Sequence, residues 1–244
     1  MMVTFIGQCV LNLVQSVKYT LEGRVRLPAV ISNAASIGYD SIPIALMIVF
    51  IAAVVISLQI SKQFLLSGGE SYVGGFMAVA LIRELAPGFA ALAISARAGT
   101  AVSAEIANMK VTSQVDAIKT LKVDPIGYYF APRIIAAAIT VPSIVILSEL
   151  LGIVGGMIVS YFTIGLHPAR YMNSVWLWIS TKDLYISVLK GFIFGILITT
   201  VCATQGYNTE GGAKNVGIST TEAAIKATVI LLTADLLIAL LFYF

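Results

Sequence analysis

Long apolar stretches alternate with short polar segments along the 244-residue chain. Five of these stretches approach or exceed the roughly 20 apolar residues that an α-helix needs to cross a bilayer. They cover about residues 42–58, 72–96, 134–161, 184–203 and 227–244. The pattern therefore predicts five membrane-spanning helices.

The first 20 residues have a different pattern, in which apolar side chains such as Val3 and Val10 recur at helical spacing. Polar residues, including Gln8 and Asn12, are spread along the whole segment. This pattern is typical of a helix that lies in the membrane interface and does not cross it. We therefore interpret residues 1–28 as an interfacial helix followed by a basic loop.

The composition agrees with an all-α integral membrane protein. Hydrophobic residues make up 59% of the chain and charged residues 11%, whereas a soluble domain carries about 25% charged residues. No soluble domain is apparent within residues 1–244, so we predict a single membrane domain. The net charge of +3 is too small to indicate nucleic acid as a partner.

The basic residues predict the orientation of the chain, because cytoplasmic loops of membrane proteins are enriched in Lys and Arg. With the N-terminus in the cytoplasm, that side carries Lys18, Arg24, Arg26, Arg97, Lys110, Lys119, Lys122, Arg133, Lys214 and Lys226. The far side carries Lys62, Arg170, Lys182 and Lys190. Five spans then place the C-terminus on the outer side.

Arg83 and Glu84 form an adjacent charged pair inside the second predicted span. Arg83 lies eleven residues beyond Tyr72, which is roughly 16 Å along a helix axis and near mid-membrane. A lone charge there costs about 2.5–3.5 kcal/mol. The pair either lines a polar substrate cavity or forms structural ion pairs with another helix, and Pro87 frees backbone carbonyls nearby.

Two further acidic residues, Asp235 and Glu149, lie within predicted spans. A carboxylate flanked by leucines, such as Asp235, needs a partner in the membrane. Arg83 is the only basic residue that we place at a comparable depth, so we expect Asp235 to pair with Arg83.

Small residues give the third predicted span a face for close helix packing. They are Gly152, Gly155 and Gly156. The segment that follows, at about residues 164–183, is expected to be a loop whose aromatic residues suit an interfacial belt.

Residues 97–125 form a polar continuation of the second span. Ser113 and Asp116 fit the capping-box pattern that starts a short helix, and Asp124 with Pro125 is expected to end it. Val115, Ile118 and Leu121 would form one apolar stripe on this helix, opposite Lys119 and Lys122. Such a helix either docks in a groove of another protein or packs only on its own chain.

The sequence gives little support for enzyme chemistry. It has a single histidine, His167, and no Cys/His cluster with metal-ligand spacing. It also lacks the G-x-x-x-x-G-K-[ST] loop that cradles phosphates. We predict no catalytic residue, metal or cofactor in this chain, so that any ATP-driven work, with its ATP and Mg²⁺, would have to come from a separate subunit.

Two segments resemble the MlaE/YrbE family of ABC transporter permeases, which move lipids together with MCE-domain proteins and include plastid lipid-import permeases. The first is RELAPGFAALAISARAGTAVSAEIANMKVTSQVDAIKTLKVDP, at residues 83–125. The second is GYNTEGGAKNVGISTTEAA, at residues 206–224, followed by a last helix that contains Asp235. Glu222 departs from the pattern, since many relatives carry Arg there, and any basic contact at that position is in doubt.

The resemblance implies a homodimer with five spans per chain and a phospholipid cavity between the copies. It also implies a cytoplasmic coupling helix, at residues 105–122, that docks on an ABC ATPase subunit. Arg83, Glu84 and Asp235 would lie at the lipid cavity or the dimer seam. The docking residues would be Glu105, Met109, Lys110, Val115, Asp116, Ile118, Lys119 and Leu121.

Two functions from other classes stay open at this point. A proton-coupled secondary transporter would use Glu84 and Asp235 as proton carriers, and a non-transporting membrane scaffold would use its charges only structurally. The start of the chain lacks a transit-peptide pattern. This favours the bacterial inner membrane over a plastid inner envelope.

Overall fold

The structure, a computed structural model, describes residues 2–243. Within these limits the secondary structure is helical, without strands. Five helical stretches are long and apolar enough to cross a membrane: Leu27–Leu66, Glu70–Val111, Pro125–Ile164, Thr181–Tyr207 and Ala213–Tyr243. The predicted all-α class and the predicted number of spans are therefore confirmed. Residue 244, the last of the fifth predicted span, lies outside the described residues.

The α-helices of the described chain are α1 (Met2–Leu21), α2 (Leu27–Ile37), α3 (Ile42–Leu66), α4 (Val73–Ala80), α5 (Ala86–Ile94), α6 (Thr100–Val111), α7 (Gln114–Thr120), α8 (Pro125–Ile164), α9 (Pro168–Trp178), α10 (Thr181–Tyr207) and α11 (Ala213–Tyr243). One π-helical turn, Leu81–Leu85, joins α4 to α5, and another, Ser95–Gly99, joins α5 to α6. The second span is thus one helical stretch with two wide turns.

Helix α1 matches the predicted N-terminal helix, but α2 was not expected. Pro28 lies in the first turn of α2, where a missing N–H costs nothing and the fixed φ angle suits a helix. The apolar pattern placed Pro28 in a loop and began the first span only at residue 42. Because α2 carries polar residues such as Asn33 and Ser36, it escaped a search for unbroken apolar runs.

Asp124 and Pro125 begin a helix instead of ending one, which corrects the prediction for this dipeptide. The Asp124 carboxylate accepts hydrogen bonds from the backbone N–H groups of Ile126 and Gly127, each at 3.1 Å. This arrangement caps the first turn of α8. The third span accordingly begins at Pro125 and not near residue 134.

Two segments predicted as loops are largely helical. The loop expected at residues 164–183 contains α9, which carries the aromatic residues of the predicted belt. The polar segment between the fourth and fifth predicted spans, at residues 204–222, is non-helical only between Tyr207, where α10 ends, and Ala213, where α11 begins. These helices were not predicted because polar residues interrupt the apolar runs on which the prediction of spans was based.

The chain divides into two compact units, and α8, α10 and α11 contribute residues to both. The first unit comprises residues up to Ser41, Ile94–Val141 and Phe192–Ala234. Within it, α1 is fastened to α10 by a buried hydrogen bond from Asn12 to the hydroxyl of Thr204, at 3.0 Å. Polar residues on one face of α1 therefore hold it to the protein.

The second unit comprises Ile42–Ala93, Pro142–Gly191 and residues from Asp235 onward. The predicted close-packing face of Gly152, Gly155 and Gly156 is confirmed, since a Cβ at any of them would meet neighbouring side chains at 2.6–2.7 Å. The partner at Gly156 is the hydroxyl of Tyr171, from α9. Tyr171 is almost fully buried, and this burial raises the pKa of its phenol.

A glycine substitution in the first unit tests the helix packing. A Cβ built at Gly195 of α10 would lie 2.5 Å from the carbonyl oxygen of Ala137 in α8. Because the obstacle is backbone, relief requires the two helices to separate. We expect Gly195→Ala to destabilise the protein by about 1–3 kcal/mol, measured as a lower thermal unfolding midpoint in detergent.

The matched control is Gly217→Ala in α11. No described atom outside its own helix turn lies within 4 Å of a Cβ built there. Alanine is also the better helix former by roughly 1 kcal/mol. Equal midpoints for Gly195→Ala and Gly217→Ala would contradict the close approach of α8 and α10.

Candidate functional site

The second span widens into a π-helical turn at Leu81–Leu85, just before Pro87. Within it the N–H of Ala86 donates to the carbonyl oxygen of Leu81, five residues earlier. Single π-helical turns inside α-helices occur frequently at functional sites. This turn carries both Arg83 and Glu84.

Pro87 leaves the carbonyl oxygen of Arg83, four residues earlier, without its usual helical donor. The ammonium of Lys190 donates a hydrogen bond to this oxygen at 2.7 Å. The expectation that Pro87 frees a backbone carbonyl is confirmed. The group that occupies the freed carbonyl, a lysine from α10, was not anticipated.

Lys190 is fully buried and is shared by two carboxylates. Its ammonium donates to Glu84 Oε2 at 2.8 Å and lies 2.6 Å from Asp235 Oδ1. The ammonium thus donates hydrogen bonds to Glu84 and to the carbonyl of Arg83, and it forms a close ion pair with Asp235. A buried lysine persists only when it is paired in this way.

Arg83 pairs with Asp183 at the start of α10. Its Nε donates to Asp183 Oδ1 at 2.8 Å. The other oxygen of Asp183 accepts hydrogen bonds from the backbone and hydroxyl of Ser180. The guanidinium of Arg83 also lies 4.5 Å from the ring centre of Tyr243, which is a cation–π distance.

We call these five residues the ion cluster: Arg83, Glu84, Asp183, Lys190 and Asp235. It holds three carboxylates and two cations, all in the second unit. The ion pairs are 2.6–2.8 Å long. The cluster thus fixes the positions of α10 and the last helix relative to the π-helical turn, while Arg83 and Glu84 stay partly exposed.

The predicted pairing of Asp235 with Arg83 is wrong. Asp235 pairs with Lys190, and Arg83 pairs with Asp183. The charge pattern placed Lys190 among the outer basic residues, although it lies nine residues inside α10. Its position within the predicted span at residues 184–203 was the signal that could have identified it.

Glu149 lies in α8 of the same unit and is also buried. Its Oε1 accepts a hydrogen bond from the hydroxyl of Ser187. Ser187 lies three residues before Lys190 on α10, so α10 supplies partners to acidic side chains from three spans. The sequence singled out Glu149 but indicated no partner for it.

The segment predicted as one coupling helix, residues 105–122, consists of two helices. Helix α6 ends at Val111, and α7 runs from Gln114 to Thr120. Between them Ser113 has a left-handed backbone, with φ of 61°, and within residues 2–243 its side chain makes no capping hydrogen bond. The predicted start of a short helix is correct, but the capping box is not formed.

The apolar stripe of α7 is divided between the protein and its surroundings. Val115 is fully buried, Ile118 is half-buried, and Leu121 is 74% exposed. The first residue therefore anchors α7 to its own unit, while the last presents a large apolar side chain at the surface. Packing of α7 on its own chain is therefore observed at Val115, while docking on another protein stays a prediction.

The charged residues of the segment form contacts within the first unit. Asp116 is bridged by Lys119 at 3.3 Å and by Lys110 at 3.9 Å, and hydrogen bonding to Asp116 raises the pKa of Lys119. Both ammonium groups also lie within 6.0 Å of the ring centre of Tyr207. These contacts connect α7 to α6 and to the end of α10.

Two of the candidate docking residues, Glu105 and Met109, lie on α6 and are partly engaged by the protein itself. Glu105 pairs with Arg133 of α8 at 2.8 Å, and Arg133 is buried, although the charge pattern placed it among the surface charges. Met109 is half-buried. The exposed candidates are Glu105, Asp116, Lys119 and Leu121.

These features define a helical integral membrane protein with an ion cluster in its spans and a short two-helix surface segment. Comparison with known proteins gives the family. The sequence model of the family Permease MlaE matches residues 30–241. The chain belongs to the MlaE permease family and is a membrane permease subunit.

Named relatives agree with this assignment. The chain is 34% identical over 217 residues to a probable ABC transporter permease protein of Rickettsia prowazekii, covering 89% of this chain and 84% of the relative. It is 32% identical over 225 residues to a probable ABC transporter permease protein of Synechocystis, covering 92% and 86%. It is 27% identical over 237 residues to the chloroplastic protein TRIGALACTOSYLDIACYLGLYCEROL 1 of Arabidopsis thaliana, covering 97% and 66%.

Proposed function

We propose that this chain is the transmembrane subunit of an ATP-driven phospholipid transporter. It would work as a homodimer and pass lipid between the membrane and an MCE-domain partner. The observation that carries the proposal is the family match over residues 30–241. It is supported by relatives named as ABC transporter permeases and by one whose name is that of a glycerolipid.

An ABC permease needs a surface on which its ATPase subunit can dock. The exposed end of α7, at Leu121, offers an apolar side chain beside Lys119 and Asp116. Buried apolar anchors surrounded by polar groups carry most of the binding energy in protein interfaces. We propose that this end of α7, with the N-terminus of the chain in the cytoplasm, is the contact for the ATPase.

We call residues 105–122 the docking segment. Its movement would reach the ion cluster through the chain itself. Helix α6 belongs to the same helical span, Glu70–Val111, that carries Arg83 and Glu84. Nucleotide-driven displacement of α6 and α7 would therefore act on the π-helical turn. Rearranged ion pairs there would change the polarity that a lipid headgroup meets in the proposed phospholipid cavity between the two copies.

The experiment is lipid transfer by the purified permease and its ATPase in proteoliposomes. A fluorescent phospholipid is followed with ATP, with a non-hydrolysable ATP analogue, and with a pH gradient alone. We expect transfer only with ATP. Transfer by the permease alone under a pH gradient would instead support the proton-coupled alternative, and no transfer by a folded, ATP-hydrolysing complex would support the scaffold.

A further inference from the structure

A cavity of about 740 Å³ lies in the first unit, between α1 and the ends of α10 and α11. Its polar lining comes from the hydroxyl of Thr4, from three amides, Gln8, Gln205 and Asn208, and from one ion pair, Glu222 with Lys226. None of these residues belongs to the ion cluster or to the docking segment. The cavity is therefore a separate feature from those in the proposed transport mechanism.

The charges of the cavity are already balanced. Lys226 donates to Glu222 Oε2 at 3.0 Å and to Gln205 Oε1 at 2.7 Å, and its ammonium lies 4.6 Å from the ring centre of Phe5. Gln205 in turn donates to Glu222 Oε2 at 3.0 Å. Among the described lining residues, no cation is left to balance a phosphate, so the cavity does not suit an anionic group.

The amides supply both kinds of hydrogen-bonding group. Asn208 donates to Gln8 Oε1 at 2.7 Å, which leaves the amide N–H groups of Gln8 and the amide oxygen of Asn208 for a ligand. The Glu222 carboxylate adds acceptor capacity. A mixture of closely spaced donors and acceptors without net charge matches a ligand rich in hydroxyl groups, because each hydroxyl both donates and accepts.

The wall formed by α1 indicates where such a ligand would come from. Val3, Leu11 and Val14 of α1 are exposed apolar side chains, while Gln8 lines the cavity and Asn12 bonds to α10. An amphipathic helix of this kind lies at the boundary between headgroups and acyl chains. A polar cavity beside it is at the level of lipid headgroups.

We propose that this cavity binds the uncharged, polyhydroxylated headgroup of a membrane glycolipid. The apolar face of α1 would contact the acyl chains, and the amides with Glu222 would bind the sugar hydroxyls. The inference goes beyond the proposed transport function, because it concerns binding by this chain without its ATPase. The lipid would fix α1 against α10 and α11.

The test uses the full chain in nanodiscs with equal amounts of phosphatidylcholine, phosphatidylglycerol and a monoglucosyl diacylglycerol. Native mass spectrometry then counts the lipids that stay bound to the released protein. We expect the glucolipid to be enriched over both phospholipids. Gln8→Ala combined with Asn208→Ala should reduce that enrichment about tenfold, since each lost hydrogen bond is worth several-fold in affinity.

Gln15→Ala is the matched control, because Gln15 lies on the same helix but does not line this cavity. It should retain the enrichment. Glu222→Arg should convert the preference to phosphatidylglycerol, as it leaves two cations in the cavity. All variants are compared only if they match the wild type in monodispersity and unfolding midpoint.

Three results would overturn the inference. They are equal retention of the three lipids by the wild type, unchanged enrichment in the double variant, and phosphatidylglycerol enrichment in the wild type.

A separate arm adds free glucose or glucosylglycerol at millimolar concentration. If the free sugar raises the unfolding midpoint and the lipid does not compete with it, the ligand is a soluble polyol and the membrane source is wrong. Because no ATPase is present, failure here leaves the transport proposal unaffected.

Discussion

Replacing Lys190 by methionine is expected to destabilise the protein far more than the loss of any exposed lysine. Methionine keeps much of the length of the buried side chain but removes the ammonium that binds Glu84, Asp235 and the carbonyl of Arg83. Removing one partner of a buried ion pair costs about 3–5 kcal/mol. For a chain of this size the thermal midpoint in detergent should fall by on the order of 10 °C.

Two further variants separate a structural role from a transport role. Lys182→Met removes an exposed lysine from the first turn of the same helix, whose ammonium donates one exposed hydrogen bond to the carbonyl of Phe242 at 2.8 Å. Because such a bond contributes only about 1 kcal/mol, the midpoint should change much less than with Lys190→Met. Lys190→Met combined with Glu84→Gln and Asp235→Asn removes the unpaired charges and should recover most of the stability. If the ion cluster sets the polarity of the proposed phospholipid cavity, this triple variant should stay inactive in lipid transfer despite its recovered stability. Midpoints that are equal for Lys190→Met and Lys182→Met would contradict the shared ion pair.

The second large effect is expected at the exposed end of α7. Leu121→Asp places a charge where the proposed interface with the ATPase needs an apolar anchor. Burial of a leucine contributes about 1.5–3 kcal/mol, so the Kd for the ATPase should rise about 10- to 100-fold. The fold should be unaffected, because the side chain is 74% exposed. Co-purification of the ATPase, followed by titration of purified subunits, measures the change.

The control for this prediction is Leu66→Asp. Leu66 ends α3, is 84% exposed, and falls on the predicted outer side. It has the same chemistry as the change at Leu121 and should leave ATPase binding intact. Equal binding by the wild type and Leu121→Asp would remove α7 from the interface, whereas a loss with Leu66→Asp as well would indicate a general defect of the membrane-inserted chain.

The apolar pattern identified the spans because helical membrane crossing depends mainly on length and hydrophobicity. It failed at the ends, where Asp124 and Pro125 start a helix that the pattern took to begin nine residues later. A capping residue is read equally well as the end of one helix or the start of the next, and only the partner N–H groups decide. Helices α2 and α9 were missed because their polar residues break the apolar runs.

The candidate site could be predicted in part. The adjacent charges at Arg83 and Glu84, followed by Pro87, identified a candidate site within the second span. The carbonyl that Pro87 was expected to free is present and accepts a hydrogen bond. The partners could not be read from the sequence, because pairing depends on which helices are neighbours and at what depth. Lys190 and Asp183 are separated from Arg83 by about a hundred residues, a distance over which helical periodicity carries no information.

The segment at residues 105–122 illustrates the same limit. Its apolar stripe was visible at residues 115, 118 and 121, but the stripe alone could not distinguish packing on the chain from docking on a partner. Burial separates the two ends, since Val115 is enclosed and Leu121 is not. The docking proposal therefore depends on which protein covers Leu121 in the membrane of the cell.

Photo-crosslinking from position 121 in intact cells identifies that protein most directly. A photoreactive amino acid replaces Leu121, and mass spectrometry identifies the adduct after irradiation. We expect a crosslink to an ABC ATPase subunit, and we expect none when the same amino acid replaces Leu66. The contrary result would be labelling of a cysteine at position 121 by a membrane-impermeant maleimide added outside the inner membrane, because that side has no access to the ATPase.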